Sequence, residues 1–153
     1  MHTKTMKLRE LTLRYSAKKD DEGRPVTIDA PIASPSDAAS LFVRLLQNEP
    51  AEVFAILCLT TKHRVIAYHE VSHGTLDSAP AHPREVFKAA ILANAAAVIL
   101  AHNHPSGDPL PSADDCELTR RLLQAGDLLG IDVLDHVIVG DDCYFSFRER
   151  GRL

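Results

Sequence analysis

The sequence predicts a single α/β domain in which helices flank one mixed sheet, and three observations carry the prediction. Residues 52–59, after the opening Glu52, and residues 95–101 are short apolar runs, the pattern of strands covered on both faces. Other stretches place apolar residues at steps of three and four, the pattern of amphipathic helices. No internal repeat, low-complexity tract or linker divides the 153 residues, a length that suits one domain with a real core.

Taken in order, Leu11, Leu13 and Tyr15 alternate with polar neighbours and predict a first strand with one solvated face. A charged turn over residues 18–25 follows. Ser34 reads as an N-cap with Pro35 at the first helical position, opening a helix that carries Ala38, Leu41, Phe42, Leu45 and Leu46 on one side. Asn48, Glu49 and Pro50 end it. Residues 52–59 and 65–71, separated by the turn 61–64, predict a β-hairpin. His63, in the turn, reads as solvated, and His69 and His73 as structural or surface residues. Residues 74–77 predict a loop. Pro83 suits a helix start, and Val86, Phe87, Ala90 and Ile91 supply that helix with an apolar face. After the apolar run to Ala101, residues 105–111 hold three prolines and Gly107, which predicts a stiff loop.

Ser112 is expected to cap the next helix, because Ser112-x-x-Asp115 resembles a capping box. Asp115, Leu118, Leu122, Ala125 and Leu129 then trace one face, with Gly130 as C-cap. Residues 131–139 predict a further strand, turned by 140–142 into a last one over 144–147.

Composition narrows the function classes. Hydrophobic residues make up 45% and charged residues 25%, as in an ordinary soluble globular protein. A net charge of -4 argues against a broad nucleic-acid-binding surface, and the cluster Arg148, Arg150 and Arg152 reads as a solvated tail. Neither a signal-peptide core at the start nor a stretch of membrane-spanning length is present, so a cytoplasmic location without membrane contact is expected. Cys58, Cys116 and Cys143 lack Cys-x-x-Cys spacing and read as reduced structural thiols, with Cys58 in the core.

The chemistry gathers at the end of the 95–101 run. If the strand continues through His102 and His104, their spacing of two sets both imidazoles on one side and turns Asn103 away. Asp115 heads the inward stripe of the following helix, whereas Asp114 lies about 100° around it. A carboxylate at the edge of a core needs a partner, because unpaired burial of charge costs several kcal/mol. One divalent metal held by His102, His104 and Asp115 would supply it. Three N,N,O ligands and a free position describe a catalytic rather than a structural zinc site, and zinc brings the pKa of its water to about 7.

The pattern His-x-His-Pro-x6-Ser-x-x-Asp, formed by His102, His104, Pro105, Ser112 and Asp115, resembles the JAMM motif of JAB/MPN+ metalloproteases. The surrounding text is similar to the RadC family: His82-Pro83-Arg84-Glu85, then residues 102–109, then Leu134-Asp135-His136, a likeness running from about Ala51 to the C-terminus. The resemblance implies a JAB/MPN-like, cytidine-deaminase-like fold. Residues 51–153 would form the metal-binding core, and residues 1–50 an N-terminal strand and helix. It implies one zinc ion on His102, His104 and Asp115, with Ser112 hydrogen-bonding near the oxyanion or the metal's water. The family's general base is an upstream Glu at a strand start, which matches Glu52, with Glu85 second and Glu70 a further alternative. Asp135-His136 is harder to place, and His136 reads as a satisfied core histidine supporting the ligands. Long RadC proteins carry a helical N-terminal module, so this chain resembles the short RadC-like form.

The expected activity is therefore that of a zinc metallopeptidase or isopeptidase, with protein, isopeptide and small peptide all open as substrates. A nucleic-acid processing factor is the alternative, motivated by the family's link to DNA repair and weakened by the acidic balance and the single-metal ligand set. A zinc deaminase finds no support, because no His-x-Glu precedes a Pro-Cys-x-x-Cys. The exposed hairpin edge leaves the oligomeric state open.

Overall fold

The sheet has the strand order β2-β1-β3-β4-β5. The computed structural model describes residues 7–74 and 81–153. Within them α1 (Pro35–Leu46), β1 (Val53–Leu59), β2 (Val65–His73), α2 (Pro83–Leu92), β3 (Ala97–Asn103), α3 (Ala113–Leu129), β4 (Asp132–Val139) and β5 (Tyr144–Ser146) follow one another. β1 pairs antiparallel with both β2 and β3, β3 parallel with β4, and β4 antiparallel with β5. The sheet is mixed because β1 and β2 form a hairpin, whereas β3 reaches β4 through α3, and a parallel pair needs such a crossover.

Both faces of the sheet are covered. On one, Val53, Ala55, Leu57 and Leu59 of β1 with Ile99 and Ala101 of β3 pack beneath Ala38, Leu41, Phe42 and Leu46 of α1. On the other, Phe54, Ile56 and Cys58 with Val98 and Leu100 meet Val86, Phe87 and Ala90 of α2 and Leu118 and Leu122 of α3. Every residue of β1 and β3 is buried, as near-continuous apolar runs require. Burial pushes the Cys58 thiol up to about 11, the behaviour of a structural core cysteine.

The helix ends follow their sequence signals. Ser34 and Asp37 form a capping box at α1, with Pro35 inside the first turn. Ser112 and Asp115 form the same box at α3, and Gly130 ends that helix in the left-handed conformation.

Two expectations need correction. No strand forms at Leu11–Tyr15: residues 7–18 carry no ladder, and Leu11 and Tyr15 stand exposed. Lys18 holds this segment beside β2 by pairing with Glu70 at 3.4 Å and lying over the Tyr68 ring, so alternation occurs without a partner for the backbone groups. Ile91 and Leu129 face outward, and Thr119 and Gly126 lie on the buried side of α3 instead. The arginine tail is exposed, as a solvated tail should be, and its side chains rest on the surface of the fold. Arg152 stands over the Phe145 and Phe147 rings and donates to Cys116 Sγ at 3.3 Å, while Arg150 lies over Phe145. Of the expected loop 74–77, only Gly74 lies among the described residues.

Candidate metal centre

The end of β3 places the two histidines. His102 is fully buried on the α2/α3 face, and Asn103 turns to the opposite one. His104 stands just past the strand, held by its N–H donating to the Val139 carbonyl of β4 at 2.8 Å. Its Nδ1 donates to the Asp108 carbonyl at 2.8 Å, so its Nε2 is the free nitrogen. The loop between His104 and Ser112 packs against Gly140, where a Cβ would come within 2.4 Å of the Gly107 carbonyl. Only glycine admits that approach.

Asp115 completes the group from the first turn of α3. Its Oδ1 lies 3.2 Å from His102 Nε2 and its Oδ2 3.2 Å from His104 Nε2, while the two nitrogens are 3.1 Å apart. One donor atom from each residue thus falls within 4.8 Å of the others. The Ser112 N–H donates to Asp115 Oδ2 at 2.8 Å, which aims the carboxylate. Burial by itself would raise the Asp115 carboxyl, yet the His102 and His104 imidazoles that face it and the Ser112 N–H outweigh burial and hold the carboxyl well below the usual carboxylate range. The facing Asp115 carboxylate raises His104 in turn, against burial. The three groups already favour positive charge between them, and a cation can take that place by displacing protons. Two imidazole nitrogens and one carboxylate fit zinc by donor type, and with three protein ligands they match an open rather than a closed site.

A cavity of about 190 Å³ opens beside these donors, lined by Glu52, Phe54, Ser72, Ser112, Asp115 and Leu118 among others. Glu52 sits immediately before β1, half exposed, with Oε1 4.0 Å from His102 Nε2. Its backbone carbonyl accepts from the Gly74 N–H. Glu85 is elsewhere engaged: it pairs with Lys88 on the exposed side of α2, and that contact holds its carboxyl below the ordinary range. Glu70 accepts from Tyr68 Oη at 3.1 Å and lies 2.6 Å from His73 Nε2 on β2. Ser112 Oγ accepts from the Asp115 N–H at 3.1 Å as helix cap, which leaves its own proton free to donate.

Behind the donors lie polar residues whose contacts the sequence reading did not resolve. His136 is fully buried, with Nε2 2.8 Å from His102 Nδ1 and Nδ1 2.6 Å from Thr119 Oγ1. Thr119 had a readable signal, since it follows Asp115 by four residues and so shares its helix face. Asp135 serves a different role: its carboxylate accepts from Ser146 Oγ at 2.6 Å and from the His136 and Arg148 N–H groups at 2.7 and 3.0 Å, pinning β5 to β4.

The family model for the RadC-like JAB domain matches residues 32–152. The chain belongs to the RadC-like JAB domain family. Its match begins upstream of Ala51, where the likeness was expected to start, and so takes in α1, which packs on β3, β4 and β5. Among curated relatives, the RadC-like chain is 50% identical over 118 residues to a UPF0758 protein of Alkaliphilus oremlandii, covering 77% of this chain and 51% of that protein. It is 48% identical over 140 residues to a UPF0758 protein of Desulfitobacterium hafniense, covering 92% and 60%. A third, from Geotalea uraniireducens, is 44% identical over 144 residues, covering 94% and 60%. The chain thus spans about half to three-fifths of the length of these relatives. Among the described residues of this RadC-like domain, no helix is long and apolar enough to cross a membrane.

Proposed function

We propose that this RadC-like JAB domain is a zinc-dependent amide hydrolase of the metallopeptidase or isopeptidase kind. The observation that carries the reading is the convergence of His102, His104 and Asp115 on one point, at the wall of a cavity that a further carboxylate, Glu52, also lines. A zinc ion held by the three residues would supply Lewis-acid polarisation of a scissile carbonyl and acidification of a water. Glu52 is placed to take the proton from the attacking water and return it to the leaving nitrogen. Its partly exposed position allows that exchange, whereas the carboxylate of Asp115 is committed on both oxygens. The hydroxyl of Ser112 faces the same cavity and has a proton to give to a developing oxyanion. Phe54, Ala81 and Leu118 line the cavity with apolar surface, which suits a peptide-like substrate and limits water around the reacting groups.

The testing experiment is elemental analysis of protein purified without added metal, beside a His104→Ala control, followed by a peptide and isopeptide hydrolysis screen. Near-stoichiometric zinc that the control lacks, together with hydrolysis abolished by chelation, is the expected result. Equal metal content in both proteins would overturn the ligand assignment, and zinc without turnover on any amide would overturn the activity.

A further inference from the structure

The direction of each hydrogen bond behind His102 can be derived. Thr119 has one hydroxyl proton, and it goes to the Asp115 backbone carbonyl at 2.7 Å. Toward His136 Nδ1, 2.6 Å away, the same oxygen therefore accepts, and Nδ1 carries the proton. His136 is fully buried, and among the described residues no carboxylate bonds its ring nitrogens, so the neutral ring is favoured. A neutral imidazole has one proton, which leaves His136 Nε2 as an acceptor for His102 Nδ1–H at 2.8 Å. His102 then has only Nε2 to offer, and Nε2 is the nitrogen facing His104 and Asp115.

We propose that Thr119 and His136 are positioning residues that fix the tautomer of His102, so that its Nε2 is presented bare to the metal. The chain of bonds starts on the backbone of Asp115 and ends at His102, beside the carboxylate of that same Asp115. Two ligands on different elements, β3 and α3, are thereby tied through β4. Stacking holds the rings in plane for it: Phe147 lies 10° from parallel to His136 at 5.1 Å, and Phe54 12° from parallel to His102 at 5.9 Å. The acceptor for the ligand's outer N–H is here an uncharged imidazole where a carboxylate often serves. With Asp115 the one anionic residue of the three proposed ligands, a bound divalent ion keeps more of its positive charge for polarising a substrate.

The inference rests on the metal-centre reading, and its test separates the two. Thr119→Val keeps the side-chain shape and removes the hydroxyl, while Thr119→Ser keeps the hydroxyl. Zinc affinity is measured by chelator competition for all three proteins, and ring nitrogen-15 shifts of His136 are recorded on the zinc-free forms. Thr119→Val should bind zinc about 10- to 100-fold more weakly and Thr119→Ser close to the parent. In the parent, the His136 proton should sit on Nδ1. Equal affinity of Thr119→Val and the parent, or a His136 proton on Nε2 in the parent, would overturn the proposal. If the parent takes up no zinc, the metal reading falls. The His136 shifts then decide the tautomer alone, Nδ1–H supporting it and Nε2–H overturning it, and they do so equally if Thr119→Val fails to fold.

Discussion

The side chain of Asn103 brackets Glu52. Its Oδ1 accepts from the Val53 N–H at 2.7 Å, and its Nδ2 donates to the Ala51 carbonyl at 3.0 Å, so the peptide groups on both sides of Glu52 are held. The residue between His102 and His104 thus positions the carboxylate that lines the cavity. Replacing Asn103 with Ala leaves a buried N–H without an acceptor, a loss of about 1–3 kcal/mol. Chemical denaturation should show that loss. Zinc affinity, which depends on side chains from the opposite face of β3, should change little by comparison.

Glu52→Gln preserves size and hydrogen bonding but not basicity. Hydrolysis should fall by about 10²- to 10⁴-fold, with zinc content unchanged. His104→Ala should lose both. Glu85→Gln should leave turnover intact, because Glu85 is paired with Lys88 and does not line the cavity. Steady-state rates with parallel metal analysis check all three, and a dead Glu85→Gln beside an active Glu52→Gln would reassign the base.

The buried carboxyl of Asp135 gives a pH dependence of definite sign. Burial raises it above the usual carboxylate range, although bonds from Ser146, Arg148 and His136 partly offset that. The folded state therefore keeps the Asp135 proton to higher pH than the unfolded chain does. Stability falls as pH rises from the unfolded value, about 3.9, through the raised folded value. Asp135→Asn cannot ionise, so the stability difference between variant and parent should shift in the variant's favour across that window. Denaturation midpoints of both proteins at several pH values supply the measurement.

Gly126→Ala tests how closely α3 sits on the sheet. In an open helix the change would stabilise by about 1 kcal/mol. Here the new Cβ would stand 2.5 Å from the Ile131 carbonyl and 3.2 Å from Val133. Overpacking of this kind costs about 1–3 kcal/mol, so the clash wins and thermal unfolding should move to lower temperature.

Local signals in the sequence were enough for most of the elements and for singling out His102, His104 and Asp115 as a donor cluster. Ser34 with Pro35 and Ser112 with Asp115 each carry a helix start within four residues, and the runs in β1 and β3 state by themselves that both faces are covered. The spacing of two pointed His102 and His104 to one side on the condition that the strand ran through both. However, β3 ends at Asn103, and the His104 N–H bond to the Val139 carbonyl of β4 holds the second imidazole there. What needed the tertiary structure was every relation between distant residues. Leu11, Leu13 and Tyr15 alternate like a strand, but a strand exists only where another chain segment receives its hydrogen bonds. Glu52 was preferred to Glu85 and Glu70 only through the family resemblance, and it is the packing of β1 against β3 that brings Glu52 to within 4.0 Å of His102. His136 depended most on the fold. Val98 pairs with Val133 and Ile99 with Asp135, so a register shift at Leu134 inserts one residue into β4. Simple alternation from Val133 would turn His136 toward α1. The extra residue reverses every side chain beyond it and sets His136 against His102, because strand periodicity is two and a slip of one exchanges the faces.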